Sequence, residues 1–142
     1  MRILGIDFGD KTIGLAVSDK LLLISQGLGH YRTVNREEDL KYFKNLAAKF
    51  EISEIVIGFP LRMDGSEGTR AEKTKEFANW LEKELGLPII LWDERLTTQQ
   101  ALKILRGQKI KGKTKKNLID QISATIILSS YLESRKQKSN GP

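Results

Sequence analysis

Three stretches of this chain set a carboxylate inside sequence that otherwise reads as buried. In LGIDFGD (4–10), Leu4, Ile6 and Phe8 are bulky and apolar, and Asp7 lies one pleat before Gly9 opens a turn. Asp93 and Glu94 follow directly on the apolar run Ile89 to Trp92. Asp120 stands in NLIDQISATIILSSYL (117–132), where Leu118, Ile119, Ile122, Ile126, Ile127, Leu128 and Leu132 leave little polar face. An uncompensated carboxylate in such surroundings is costly, so each of these acids requires a partner.

Each also has a purely structural alternative. Asp7 can accept hydrogen bonds from the amides of Gly9 or Asp10 in a turn. Asp93 and Glu94 can pair with Arg95 or precede a helix, where the dipole favours acids. Asp120 can be the third residue of a helix capped by Asn117. Together they suggest more. The chain has no cysteine and a single histidine, His30, which excludes disulfides, thiolate metal sites, a cysteine nucleophile and a histidine-rich zinc site. Carboxylates alone suit a hard, oxygen-seeking cation such as Mg²⁺ or Mn²⁺, which shares its coordination with water and phosphate.

The charge points to a polyanion. The net charge is +6, and from Leu96 to Ile119 there is no acid but there are Lys103, Arg106, Lys109, Lys111, Lys113, Lys115 and Lys116. A solvated basic loop would read the same way. With no apolar run longer than Leu21 to Ile24, however, the expected partner is nucleic acid and no membrane is involved. Met1-Arg2 leads straight into strand-like sequence, so a cytoplasmic protein is expected.

The elements that must position the acids follow from periodicity. Residues 2–8 and 12–19, separated by Gly9-Asp10-Lys11, read as an antiparallel hairpin, and a third strand is expected over 24–34. Leu40, Phe43, Leu46, Ala47 and Phe50 recur at helical spacing and predict a helix over 36–50. EIVIGFP (54–60) returns to strand. Thr69 to Glu72 fits a capping box opening a helix that Gly86-Leu87-Pro88 ends. A short strand over 89–92, a helix from Thr97 to Gly107, a mobile basic loop over 107–117 and a final helix over 118–132 complete the order. The fold class is α/β, a five-stranded mixed sheet of three antiparallel meander strands and then parallel strands, flanked by helices. Residues 1–135 form the expected single domain, with 136–142 a frayed tail. A monomer and a homodimer both fit the sequence. In such sheets, ligands sit at the carboxyl ends of parallel strands, where Asp7 and Asp93-Glu94 lie.

Four segments, GIDFGDKTIGLAVSD (5–19), IVIGFPLRMDGSEGTRA (55–71), WDERLTTQQA (92–101) and IDQISATIILSSYL (119–132), closely resemble the YqgF family, the Holliday-junction-resolvase-like, pre-16S ribosomal RNA nuclease group. The resemblance runs in order along nearly the whole chain and implies a ribonuclease H-like fold. It implies that Asp7, Glu94 and Asp120 are a metal-binding catalytic triad. It also implies that Lys11, Arg95 and the loop from Gly65 to Arg70 lie near phosphates. Arg62 departs from the asparagine more usual in the family, and Ser123-Ala124 from two alanines. The expected activity is Mg²⁺-dependent hydrolysis of phosphodiester bonds in a ribosomal RNA precursor or a branched DNA. Arg95 or Lys11 would neutralise charge on the scissile phosphate, Arg70 would belong to the nucleic-acid-binding surface, and Lys109, Lys111, Lys113, Lys115 and Lys116 would hold flanking phosphates. One alternative is a ribosome-associated RNA-binding module whose acids are structural. Another is an ATP-binding domain of the actin and sugar-kinase kind, suggested by D-x-G-x-K-T, although those proteins need two related lobes and no repeat is present here.

Overall fold

The first apolar run alternates between two destinations, and this alternation organises the molecule. The computed structural model describes residues 1–96 and 113–140 and, within these, all side chains except those of Leu96, residues 113–121 and residues 137–140. The elements are β1 (Arg2–Phe8), β2 (Thr12–Ser18), β3 (Ser25–Arg32), α1 (Arg36–Lys49), β4 (Ile52–Phe59), α2 (Thr69–Leu85), β5 (Ile89–Asp93), a 3₁₀ turn (Glu94–Leu96) and α3 (Lys113–Asn140). The five strands lie in the order β3-β2-β1-β4-β5. β1 pairs antiparallel with β2 and parallel with β4, β2 antiparallel with β3, and β4 parallel with β5. The expected mixed sheet is thus the one observed. The carboxyl ends of β1, β4 and β5 share one edge of it.

Successive residues of a strand face opposite sides. Leu4, Ile6 and Phe8 of β1 join Ile13, Leu15, Ile55, Ile57 and, from the helices, Phe43, Phe77 and Leu81 in a core under α1 and α2. Phe8 stacks on Phe77 with ring centroids 4.5 Å apart. Ile3 faces the other way, into a second core of Ala16, Val56, Ala124, Ile127, Leu128 and Leu132 under α3. Gly5 lies on this second face at the closest approach of α3: a Cβ there would come within 2.7 Å of the Leu128 Cβ and 3.2 Å of the Ala124 carbonyl oxygen. α3 runs antiparallel to β4, since Ile127 lies over Gly58 near the end of that strand while the Tyr131 hydroxyl donates to Glu54 near its start. Its amino end therefore points to the edge where β1, β4 and β5 finish.

Several boundaries differ from the sequence reading. α2 opens on Gly68, whose extended backbone (φ −103°) takes the N-cap position without a side-chain hydrogen bond, so Thr69 is already helical and the expected capping box does not form. β5 runs one residue further, to Asp93. The final helix begins at Lys113 instead of Leu118 and reaches Asn140, because no glycine or proline interrupts 113–140 and lysine tolerates a helix well. That shortens the expected basic loop and makes the start of the expected tail helical. The helix expected from Thr97 to Gly107 lies outside the described residues. Among the described residues, no helix is long and apolar enough to cross a membrane.

Candidate active site

Strand parity decides where Asp7 points. Because Leu4, Ile6 and Phe8 belong to the α1/α2 core, Asp7 shares the α3 face with Ile3 and Gly5. It is half-buried at the end of β1. Its antiparallel neighbour on β2 is Gly14. On the other flank, the parallel register ends at Ile6 with Ile57, so Gly58 is the residue beside Asp7 on β4. Two glycines leave the sheet surface around this carboxylate without side chains.

Glu94 uses that space. It begins the 3₁₀ turn directly after β5, and its stem crosses Gly58: a Cβ there would lie 2.8 Å from the Glu94 Cγ, 3.0 Å from its Cδ and 2.5 Å from the Ile127 Cδ1. Neighbouring strands are about 4.8 Å apart, so the Glu94 side chain lies one strand away from Asp7 on the same face. The fold therefore brings these two predicted acids together. Asp120 occupies the position in α3 one turn before Ala124 and two before Leu128, toward the amino end of the helix. Its side chain lies outside the described residues, and among those described no three acids or histidines form a metal-binding group.

The β1–β2 turn builds one wall. Asp7, Asp10, Lys11, Thr12 and, from the first turn of α2, Arg70 line a cleft of about 430 Å³. Lys73 reaches Asp10 at 3.4 Å, an exposed pair that occupies the acid next to Lys11. Lys11 and Arg70 thus share one cleft with Asp7. Arg95 is differently engaged. Its Nε donates to both Asp93 carboxylate oxygens (3.1 and 3.0 Å) and its Nη2 to Oδ2 (2.8 Å), while Nη1 donates to the Met63 carbonyl (3.4 Å). The guanidinium beside Asp93 holds that carboxyl below its ordinary range, and the carboxylate raises Arg95 in turn. Lys109 and Lys111 lie outside the described residues. Lys113, Lys115 and Lys116 fall in the opening turns of α3, with side chains not described. Sequence reasoning missed Gly14 and Gly58 as parts of the site, although a glycine inside a strand is itself a signal of close approach.

These features coincide with clear relationships. The family model described as RuvX, Holliday junction resolvase, matches residues 1–134. A protein of Halothermothrix orenii named "Putative pre-16S rRNA nuclease" is 46% identical over 132 residues, covering 93% of this chain and 94% of its own. One of Koribacter versatilis with the same name is 44% identical over 134 residues, covering 94% and 88%. Among solved structures, T. thermophilus RuvC in complex with Holliday junction substrate superposes with a TM-score of 0.58 at 16% identity, covering 96% of both chains. Fowlpox virus resolvase with its substrate Holliday junction DNA gives 0.59 at 12% identity, covering 95% of this chain and 99% of its own. At those identities the structural likeness speaks for the fold, the ribonuclease H-like one of the resolvases. The match along almost the whole chain, with relatives that are themselves covered almost end to end, makes this protein a member of the RuvX Holliday junction resolvase family.

Proposed function

We propose that this protein is a nuclease that hydrolyses phosphodiester bonds of structured nucleic acid, with Asp7, Glu94 and Asp120 holding Mg²⁺ or Mn²⁺. The observation that carries this reading is the shelf of Gly14 and Gly58, over which Asp7 and Glu94 converge below the amino end of α3. The donor set fits: carboxylates, no thiolate or imidazole, and a floor that a single Cβ would obstruct. A divalent ion held there supplies charge neutralisation at the phosphate and activation of water. Lys11 and Arg70 bind phosphate oxygens at the cleft and orient the bond to be broken. The relatives' names make a 16S ribosomal RNA precursor the first substrate to test, and the family's description a four-way DNA junction the second. Purified protein incubated with each should cut at least one in Mg²⁺ and neither in EDTA. Binding without cleavage in either metal would instead favour an RNA-binding module.

Gly58→Ala tests the shelf directly. The new methyl must displace the Glu94 stem and the tip of Ile127, both flexible, so the stability cost stays near the lower end of overpacking, about 1 kcal/mol. The carboxylate moves with its stem, and the rate should fall by roughly 10–100-fold, as when the support of a metal ligand is removed. Wild-type rates in this variant would remove Glu94 from the site.

The lysines at the start of α3 sit against the helix dipole, which favours acids at an amino end, and the first turn of α3 contains none. Local stability does not account for them; phosphate binding does. Each phosphate contact contributes a slope of about −0.9 in log affinity against log salt on duplex DNA and about −0.7 on single strands. Replacing Lys113, Lys115 and Lys116 with alanine should flatten the slope by roughly two units while the melting temperature barely moves. An unchanged slope would place the basic surface elsewhere.

A further inference from the structure

The resemblance places Arg95 among the phosphate contacts, yet its hydrogen bonds describe a different part. Asp93 Oδ1 accepts from the Arg95 backbone N–H at 3.0 Å as well as from its guanidinium, so one carboxylate closes the turn in which Glu94 is the middle residue. The same guanidinium spans to the hairpin that follows β4. That hairpin is closed by the Leu61–Glu67 bridge and by Arg62 N–H donating to the Ser66 carbonyl at 2.9 Å. At its tip Gly65, with φ +89°, lies against Arg95: a Cβ built there would be 3.5 Å from Nη1. A cation already held by a carboxylate through three contacts under 3.2 Å presents little net charge to a phosphate.

We infer that Asp93 and Arg95 act as one strut, which fixes the backbone on both sides of Glu94 and ties the 61–67 hairpin to the end of β5, so that both are positioning residues and Arg95 is not a phosphate contact. The inference rests on the nuclease reading for its kinetic consequences but not for its structural ones. Its chemistry is that of the fork: a planar guanidinium meets the carboxylate through Nε and Nη2 and still has Nη1 for the Met63 carbonyl, a fixed geometry that the single nitrogen of an ammonium does not reproduce.

The test is a set of four variants, Asp93→Asn, Arg95→Ala, Arg95→Lys and the Asp93→Asn/Arg95→Ala pair. If the two residues are one strut, either single change lowers kcat by roughly 10–100-fold, the effect expected when the support of a metal-binding carboxylate is lost. The double variant is then no worse than the singles, because the interaction is already gone. Arg95→Lys does not rescue, while KM and the salt slope of binding stay at wild-type values. If Arg95 instead binds phosphate, Arg95→Ala flattens the salt slope by about one unit, and Asp93→Asn, which frees the guanidinium, tightens binding; either result overturns the inference. Hydrogen exchange at the Gly65 and Ser66 amides supplies a readout independent of cleavage: the strut requires faster exchange in every variant than in the wild type. Unchanged protection overturns the inference even in an active enzyme. Faster exchange in a protein that cuts nothing leaves the strut standing and removes the nuclease reading.

Discussion

Asp7→Asn is expected to remove Mg²⁺-dependent cleavage while leaving the fold intact. Asparagine has the shape of aspartate, and the half-buried site between Gly14 and Gly58 leaves room for the amide. What is lost is one anionic ligand, and with it several kcal/mol of charge stabilisation, so the rate should fall by roughly two to three orders of magnitude. The stability response separates this reading from a structural role. Acids gathered around an ion-binding shelf repel one another when no ion is present, so the variant should melt no lower than the wild type in EDTA. The wild type should gain stability with added Mg²⁺ by mass action, about 2.7 kcal/mol at a hundredfold excess over its dissociation constant, and the variant should gain much less. A variant that cuts at the wild-type rate, or that unfolds in EDTA, would show that Asp7 serves the turn and not the chemistry.

Gly5→Val should have the largest effect on stability. The obstructing atoms are the Leu128 Cβ at 2.7 Å and the Ala124 carbonyl oxygen at 3.2 Å, both fixed to the body of α3, so a larger residue must lift the helix from the sheet. Overpacking of this kind costs about 1–3 kcal/mol or more, which at this size is roughly 4 °C in melting temperature per kcal/mol. Because α3 also carries position 120 toward the cleft, cleavage should drop well below the wild-type rate even at temperatures where the variant is folded. A melting temperature within about 2 °C of the wild type, given that scale, would mean that α3 packs less closely on β1 than described.

Much of this architecture was legible because local patterns and tertiary demands agree. The apolar residues Leu4, Ile6 and Phe8 gave strand β1, and the helical spacing of Leu40, Phe43, Leu46, Ala47 and Phe50 gave α1. What escaped was set by distant partners. The misplaced start of α2 illustrates this: Thr69 and Glu72 fit a capping box, but Gly68 packs against the Arg62 guanidinium and takes the cap. The lysine-rich approach to α3 read as loop because charge density suggested solvent, whereas 113–117 contains no glycine or proline to stop a helix. Of the site, the acids were visible as polar intrusions in apolar runs. The glycines beneath them and the bond from Arg95 to Met63, 32 residues earlier, depend on strand register and could not be read from spacing.

The two-faced pleat of β1 has one more consequence. Shifting the pairing of this strand by a single residue would turn Phe8 into the cleft and drive a carboxylate beneath the ring of Phe77, at a cost of several kcal/mol for an unpaired buried acid. Correct register and a correctly aimed Asp7 are therefore one event. A population of this chain that has closed its aromatic core has in the same step set Asp7 on the α3 face of the sheet, so misregistered molecules are weeded out by their own instability.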